Sequence, residues 1–289
     1  MKNLFKRSSI IWLPLTAYFL LVAGIVAWKD PQLLLSPSIM GNRALFLGIF
    51  GFSFALHQRV SYRLWALLTV LLAYAALSVL YKETALLNRL FLPSVDPMLM
   101  AWDEKIFGEQ PALVFSQVLS HPFFSEMMYF GYFAYYLMPV VLLFYLYRYR
   151  PGLLESFGFL VIASFLSYYV FFIFVPAFGP QFFFPFPENQ IQAHGIFGRI
   201  IKLIQQNGEA PTAAFPSSHV AVAVIILLWV WTHKREWLFY FLPVVVLLMF
   251  STVYIKAHYF VDVVGGLASA PVVYYGLTRL LKGLRKNEY

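Results

Sequence analysis

The sequence has no cysteine and little charge: of its 289 residues only 12% are Asp, Glu, Lys or Arg, whereas 61% are hydrophobic. The lack of cysteine excludes disulfide bonds, thiolate chemistry and cysteine metal sites. So apolar a chain cannot bury its hydrophobic surface in an aqueous core, which excludes a water-soluble globular protein. The strand-like alternation that a membrane β-barrel needs is also missing. We therefore predict an all-α membrane protein, a polytopic bundle of about eight transmembrane helices with additional interfacial helices.

Eight apolar stretches approach the length of about 20 residues with which a helix crosses a bilayer. They lie at residues 10–28, 44–56, 64–80, 127–146, 153–175, 220–232, 237–250 and 260–281, and the second is the shortest. Charges and prolines break the segment 82–125, which predicts interfacial helices and loops. Within the polar segment 181–214, apolar residues at helical spacing over 196–204 predict a surface helix. We divide the chain into N-terminal transmembrane helices, 1–81, and a transmembrane core, 82–289.

The net charge of +8 fits membrane topology and anionic lipid head groups better than nucleic acid. Short cytoplasmic loops carry an excess of lysine and arginine. With a cytoplasmic amino terminus, every short basic cluster falls on the cytoplasmic side: Lys2, Lys6, Arg7, Arg59, Arg63, Arg148, Arg150, Lys234, Arg235, Arg279, Lys282, Arg285 and Lys286. This assignment predicts that both termini are cytoplasmic, in a cell inner or plasma membrane. It puts His219 and His258 together on the extracytoplasmic side.

The stretch 251–262 contains the first candidate for chemistry. If it is helical, with about 100° per residue, Ser251, His258 and Asp262 share one face. Asp262, four residues after His258, can then accept the proton-bearing ring nitrogen and fix the tautomer. The other nitrogen of His258 stays basic, which suits a nucleophile oriented by a third group.

The second candidate is His219, which follows Pro216, Ser217 and Ser218 at the predicted start of a helix. Unpaired backbone N–H groups, the helix dipole and capping serine hydroxyls favour an anion such as phosphate there. His219 is then placed to protonate a leaving alkoxide. Structural histidines, a serine cap without function, and a metal shared by His258 and Asp262 are the alternatives. Ionisable groups are costly inside membrane bundles, which favours function.

Two motifs carry a family resemblance. The PSSH sequence at 216–219 resembles the second signature motif of the type 2 phosphatidic acid phosphatase superfamily. The S-x6-H-x3-D spacing of Ser251, His258 and Asp262 resembles its third motif. Members of this superfamily are membrane-embedded lipid phosphate phosphatases. The resemblance implies that His258 attacks phosphorus to form a phosphohistidine, helped by Asp262. It implies that His219 protonates the leaving group and that no metal or other cofactor is needed.

Three further features are similar to the branch of that superfamily that contains inositol phosphorylceramide synthases. They are the HYFVD sequence at 258–262, the FGP turn at 178–180, and the spacing of Asp103, Gly108 and Pro111. This similarity favours transfer to an alcohol, whereas the commonest activity of the superfamily is hydrolysis, and the sequence does not decide between the two.

The sequence departs from the family pattern at its phosphate-binding cations. Thr252 stands where the third motif usually has arginine, and the lysine and Arg-Pro of the first motif are absent; Gln181 lies in the neighbourhood where that motif is expected. The guanidinium that usually clamps phosphate is therefore missing. Lys256, one helical turn beyond Thr252, is the predicted substitute, together with Lys202 or Arg199 of the surface helix. Gln181, with Ser217, Ser218 and Ser251, completes the predicted substrate-binding set.

We therefore expect an enzyme that cleaves or transfers the phosphoryl or phospho-head group of a lipid phosphate in the bilayer. Water as acceptor gives a phosphatase, and an alcohol gives a phosphotransferase. Asn189, Gln190, Gln192 and Glu209 are candidates for binding a polyol acceptor. The alternative is a non-catalytic lipid head-group binding protein or a transporter; transporters often contain repeated halves, and this sequence shows no internal repeat.

Overall fold

The computed structural model describes residues 2–191, 193 and 195–286, and within these residues it contains twelve α-helices and no β-strand. The helices are α1 Lys2–Lys29, α2 Pro37–His57, α3 Tyr62–Leu87, α4 Asp96–Phe107, α5 Pro111–Val118, α6 Pro122–Tyr149, α7 Leu154–Phe174, α8 Pro180–Phe183, α9 Ile196–Gly208, α10 Ser218–His233, α11 Leu238–Tyr254 and α12 Phe260–Lys286. Short 3-10 turns occur at Pro31–Leu35, Pro151–Leu153 and Arg235–Trp237. The all-α prediction is confirmed.

Seven segments of the described chain are long and apolar enough to cross a membrane, and they comprise α1, α2, α3, α6, α7, α11 and α12. The eighth predicted span corresponds to α10, which is apolar but has only 16 residues. A helix of that length extends ~24 Å, somewhat less than the ~30 Å of a bilayer's hydrocarbon core. The protein is an integral membrane protein.

The second span is longer than predicted, because polar residues near its start are paired inside the protein. α2 begins at Pro37, where the Ser36 side chain accepts a hydrogen bond from the backbone N–H of Ile39. Arg43 donates to both carboxylate oxygens of Glu83 on α3, at 2.9 and 2.8 Å. The Asn42 side chain, 2.5 Å away, donates to the same carboxylate. Paired charges are tolerated within helices of a bundle, so both helices extend beyond the predicted limits.

The chain forms two compact units. The first comprises Met1–Glu83, Pro139–Val170 and Val273–Tyr289, and the second comprises Thr84–Met138 and Phe171–Val272. In the first unit, aromatic side chains pack α1 against α2, with the ring of Phe19 4.5 Å from that of Phe46. The Trp65 indole donates to the Ser53 carbonyl at 2.7 Å, which ties α3 to α2.

The second unit contains both candidate histidines and Asp262. Its buried side chains include Leu99 from α4, Ala177 and Ala214 from loops, and Tyr259 and Val261 from the start of α12. The surface helix predicted within 181–214 is present as α9, and the Glu126 carboxylate accepts from two backbone N–H groups in its first turn. A buried cluster thus lies directly beneath the junction that carries His258.

Candidate active site

The segment 251–262 is not the continuous helix that a shared face of Ser251, His258 and Asp262 requires. α11 ends at Tyr254, and Lys256 adopts a left-handed conformation with φ of 63°. The N–H of Ala257 donates to the Thr252 carbonyl at 3.0 Å, and the N–H of Lys256 donates to Val253 at 3.0 Å. These two bonds and the left-handed residue form a Schellman motif, which ends a helix and reverses the chain.

This turn separates three residues that were expected to share one helical face. Ser251 remains in α11, where its hydroxyl donates to the Leu247 carbonyl at 2.7 Å and approaches the Met128 sulfur at 3.9 Å. His258 and Asp262 follow the turn, at the start of α12. The prediction that the three residues share one helical face is therefore wrong.

Two carboxylates fix the first turn of α12, directly after His258. Asp262 Oδ2 accepts from the backbone N–H of Tyr259 at 2.8 Å, the reach-back bond of a capping box. Asp103 on α4 accepts from the N–H groups of Phe260 at 2.8 Å and Val261 at 3.0 Å. Negative charge at a helix amino terminus is favourable, so α4 anchors the segment that presents His258.

The two histidines face each other through ring nitrogens. His219 Nδ1 lies 3.2 Å from His258 Nε2. His258 Nδ1 lies 2.9 Å from the Ala214 carbonyl and 3.4 Å from Asp262 Oδ2. The carbonyl can only accept, so Nδ1 carries the proton and Nε2 is left with its lone pair. Asp262 is near the ring as predicted, but the shortest contact of Nδ1 is to Ala214, which sequence reasoning missed.

His219 contacts a tyrosine on its other side. Its Nε2 lies 3.0 Å from the hydroxyl of Tyr132, which in turn lies 3.0 Å from Glu209 Oε1. The rings of Tyr132 and Tyr135 are centred 5.0 Å from the imidazole.

Amide side chains form hydrogen bonds with the Glu209 carboxylate and with one another. The Gln181 side-chain amide donates to Glu209 Oε2, and Gln181 Oε1 accepts from Gln205 at 2.9 Å. The same Gln205 nitrogen lies 3.4 Å from the Ile255 carbonyl. Asn189 donates to the Gln181 carbonyl at 3.1 Å. Gln181 is therefore part of a polar network that reaches His219. From the sequence, Gln181 was proposed as a substrate-binding residue, but this network was not predicted.

Glycines allow the loops of the site to approach α12 and its preceding turn. A Cβ on Gly266 would lie 2.6 Å from the Ser217 carbonyl. Gly179 has φ of 87°, and a Cβ there would lie 2.8 Å from the Ala257 carbonyl. The Asp96 carboxylate accepts from the N–H groups of Phe178 at 2.7 Å and Gly179 at 2.8 Å. These contacts fix the FGP turn against the residue before His258.

One of the two serines before His219 caps the helix start, as predicted. Ser217 is the N-cap of α10, and its hydroxyl accepts from the N–H of Val220 at 3.3 Å. Ser218 is buried as the first residue of α10. The early N–H groups of a helix have no carbonyl four residues before them, so this turn retains donors that an anion can use.

Of the predicted cations, one binds a backbone carbonyl and two are exposed. Lys256 does not share a helical face with Thr252; its ammonium group donates to the Glu188 carbonyl. Burial lowers the pKa of the Lys256 ammonium. Arg199 and Lys202 are exposed on α9. Sequence spacing suggested a shared face because it assumed that α11 continues through residue 256.

Burial also changes the ionisation of the site. It lowers the pKa of His258, and the neighbouring His219 lowers it further. Burial raises the pKa of Glu209, although the hydrogen bonds from Gln181 and Tyr132 oppose that shift. His258 is therefore neutral near pH 7, the state that a nucleophile needs. Among the described residues, no three His, Cys, Asp or Glu side chains form a group that could hold a metal ion.

Comparison with known families decides the membership of this chain. The family described as the PAP2 superfamily matches residues 97–276, a range that includes His219, His258 and Asp262. The chain belongs to the PAP2 superfamily. Membership supports phosphatase-type or phosphotransferase-type activity on phosphate esters. No curated protein and no solved structure matches the chain.

Three parts of this PAP2 site were not identified from the sequence as parts of one network: Tyr132, the Ala214 carbonyl and Asp103 as a helix anchor. Glu209 was selected as an acceptor-binding residue, not as a partner of Tyr132. No local motif marks these contacts, since Tyr132 is 87 residues from His219 and 77 from Glu209. Another acceptor candidate, Gln192, lies outside the described residues.

Proposed function

We propose that the protein is a membrane enzyme that cleaves or transfers the phosphoryl or phospho-head group of a lipid phosphate through a phosphohistidine on His258. The observation that carries the proposal is the facing pair of ring nitrogens, His219 Nδ1 and His258 Nε2, 3.2 Å apart. One of these nitrogens has a lone pair and the other can carry a proton. A nucleophile and a general acid thus meet at one point.

The proposed reaction has two steps. His258 Nε2 attacks phosphorus, the bond from phosphorus to the leaving oxygen breaks, and His219 Nδ1 gives its proton to that oxygen. Water or an alcohol then attacks the phosphohistidine, His219 takes the proton of the attacking hydroxyl, and Nε2 is released. Substrate binding has to separate the two ring nitrogens, because phosphorus and the leaving oxygen lie between them during the first step.

Asp262 and Ala214 have positioning roles in this proposal. Both oxygens face Nδ1 of His258, which holds the ring in the tautomer with a bare Nε2. Negative charge on Asp262 also favours the positive imidazole that forms as Nε2 bonds to phosphorus. The phosphate oxygens are proposed to bind the first turn of α10, with Ser217 and Ser218, and Lys256 remains the proposed nearby cation. No metal takes part in this scheme.

The decisive experiment measures phosphate release from purified lipid phosphates in detergent with a chelator present. The comparison is between the wild type, His258→Ala and the matched control His121→Ala, an exposed histidine of the same unit. We expect release to survive chelation and the control substitution, and to vanish in His258→Ala. An acid-labile, alkali-stable phosphoenzyme in the wild type alone would identify the phosphohistidine. Full release by His258→Ala would refute the proposal.

Transfer to an alcohol is the second candidate, favoured by the polar network beside the histidines. Gln190 donates to Asn189 at 3.0 Å, Asn189 donates to Gln181, and Gln181 donates to Glu209. Such amide and carboxylate groups suit the hydroxyls of a polyol. The resemblance to the inositol phosphorylceramide synthase branch supports the same acceptor class. Incubation with lipid phosphate and inositol or other alcohols should yield a new phospholipid; free phosphate alone would favour hydrolysis.

We also propose that the site faces the extracytoplasmic side, with both termini cytoplasmic, because the basic clusters then share the cytoplasmic side. The absence of native cysteine makes single-cysteine labelling unambiguous. Gln58→Cys and Gln190→Cys introduce thiols at exposed positions on opposite sides of the proposed topology. An impermeant reagent should label Gln190→Cys in intact cells and label Gln58→Cys only after lysis. The reverse pattern would invert the proposed orientation.

A further inference from the structure

We propose that Glu209 supplies the proton that His219 gives to the leaving group, and that the hydroxyl of Tyr132 passes this proton between them. The inference rests on the proposed function, since it requires His219 to act as a general acid. Tyr132 and Glu209 are positioning and proton-storing residues in this proposal, because they act through His219.

The hydrogen bonds of the site form one chain with a defined direction. At one end, the Ile255 carbonyl accepts from Gln205, so the side-chain nitrogen of Gln205 is the donor to Gln181 Oε1. That contact turns the amide nitrogen of Gln181 toward Glu209 Oε2. Oε2 therefore receives an N–H group. An ionised Glu209 accepts from the Tyr132 hydroxyl at Oε1; when Glu209 is protonated, its proton belongs on the same Oε1 and is donated to the Tyr132 oxygen instead.

The other end of the chain has a matching anchor. The Ala214 carbonyl accepts the Nδ1 proton of His258, so Nε2 is an acceptor. His219 Nδ1 is then the donor across the 3.2 Å contact with His258, and His219 Nε2 is the acceptor from Tyr132. The two backbone carbonyls thus fix the donors and acceptors at both ends of the chain. With His219 neutral, the chain is complete, without charge, when Glu209 is protonated.

The proton transfers balance through one turnover. When the leaving oxygen takes the Nδ1 proton of His219, the Tyr132 proton moves to His219 Nε2 and the Glu209 proton moves to the Tyr132 oxygen. The products are an alcohol, a neutral His219, an intact tyrosine and a Glu209 carboxylate. In the second step His219 Nδ1 takes a proton from the attacking water or alcohol, and the same chain returns a proton to Glu209.

The surroundings of Glu209 suit this task. Its oxygens are bound by Tyr132 from α6 and Gln181 from α8, and the charged or titratable groups further along the network are His219 on α10 and His258 before α12. The ammonium of Lys256 is engaged by the Glu188 carbonyl. Burial raises the pKa of the Glu209 carboxyl, which favours the protonated form that the chain requires.

The test compares Tyr132→Phe and Glu209→Gln on substrates with different leaving groups. A relay is needed when the leaving group is an alkoxide and is hardly needed for 4-nitrophenolate, which leaves without a proton. The first step is measured alone, as phosphoenzyme formation in a rapid-quench single turnover. General acid catalysis contributes about 10²- to 10⁴-fold, and we expect each variant to lose about 100-fold on a lipid phosphate but less than about 3-fold on 4-nitrophenyl phosphate.

Tyr136→Phe is the matched control, because it removes a hydroxyl from α6 while keeping a ring 6.4 Å from that of His219. It should retain the wild-type rate on both substrates. The retained reaction of 4-nitrophenyl phosphate also shows that each variant is folded. Equal losses on both substrates, or no loss on the lipid phosphate, would overturn the relay.

The pH profile adds a readout that a structural role does not change. Wild-type rates on the lipid phosphate should fall as pH rises through the raised pKa of Glu209, because the chain then loses its proton. In Glu209→Gln this alkaline decrease should be absent, on a lower plateau, since an amide does not titrate there. An unchanged decrease would contradict the proposal. Failure of the proposed function can be distinguished from failure of the relay. If the proposed function were wrong, His258→Ala would still form a phosphoenzyme or the wild type would form none.

Discussion

Replacing Asp103 should destabilise the amino terminus of α12 and slow the chemistry of the residue that precedes it. Asp103 is fully buried, and its two oxygens accept from the N–H groups of Phe260 and Val261. A buried donor left without a partner costs about 1–3 kcal/mol, so Asp103→Ala should lower the free energy of unfolding by about 3 kcal/mol. Asp103→Asn retains one acceptor oxygen and should lose about half as much.

The sign of the pH dependence provides a further check. Burial raises the pKa of the Asp103 carboxyl, although its two backbone hydrogen bonds oppose the shift. A group whose pKa rises on folding contributes stability at low pH and loses that contribution as pH rises through the folded pKa. The stability of the wild type relative to Asp103→Asn should therefore increase as pH falls toward the ordinary carboxyl range.

The assay is equilibrium unfolding in mixed micelles, paired with phosphoenzyme formation on His258. Glu104→Gln is the control, because it makes the same charge change at the exposed neighbouring residue. We expect the control to stay within about 0.5 kcal/mol of the wild type, as surface substitutions usually do. If Asp103→Ala matched that control in both stability and phosphoenzyme formation, the idea that α4 anchors His258 would be wrong.

Substitutions at three other positions test the structure: two positions lie near the candidate site, and the third lies in the first unit. Gly266→Ala should reduce turnover at least 10-fold and lower the thermal midpoint, because its Cβ would lie 2.6 Å from the Ser217 carbonyl. Lys256→Gly should raise stability by about 1 kcal/mol by relieving the left-handed backbone, and Lys256→Met keeps that backbone while removing the charge; wild-type turnover in Lys256→Met would exclude an electrostatic role. Arg43→Met should lower the free energy of unfolding by about 3 kcal/mol because it leaves the buried Glu83 carboxylate without its cation, with the neutral Asn42 amide still bound. The double variant with Glu83→Leu should recover most of that loss.

Helix identity was readily predicted from the sequence, since long apolar runs leave few alternatives in a membrane protein. The N-cap at Ser217 and the amphipathic α9 were also predicted from local pattern alone. Two separate spans, 237–250 and 260–281, were predicted, but the sharp turn between α11 and α12 was not, because its left-handed C′ position is Lys256 rather than the glycine that usually marks such a turn.

The histidines and Asp262 could be selected because local motifs contain them. Their partners could not, because Tyr132, Ala214 and Asp103 reach the site through contacts between segments distant in sequence. Asp103, for example, is 157 residues from Phe260. A carboxylate that binds backbone N–H groups can pair with residues of any type, so no sequence pattern identifies its partners.

The position of Thr252 clarifies the missing arginine. Its side chain is fully buried and donates to the Met249 carbonyl at 2.9 Å, while its own carbonyl accepts from the N–H groups of Ala257 and His258. Residue 252 therefore closes the turn that delivers His258, and in this chain its side chain points back into α11. An arginine at this position would have to leave that buried environment or bring an unpaired charge into it. We therefore expect the negative charge of a phosphate in the proposed site to be met by the first turn of α10, with Lys256 as the proposed cation and without a guanidinium from residue 252.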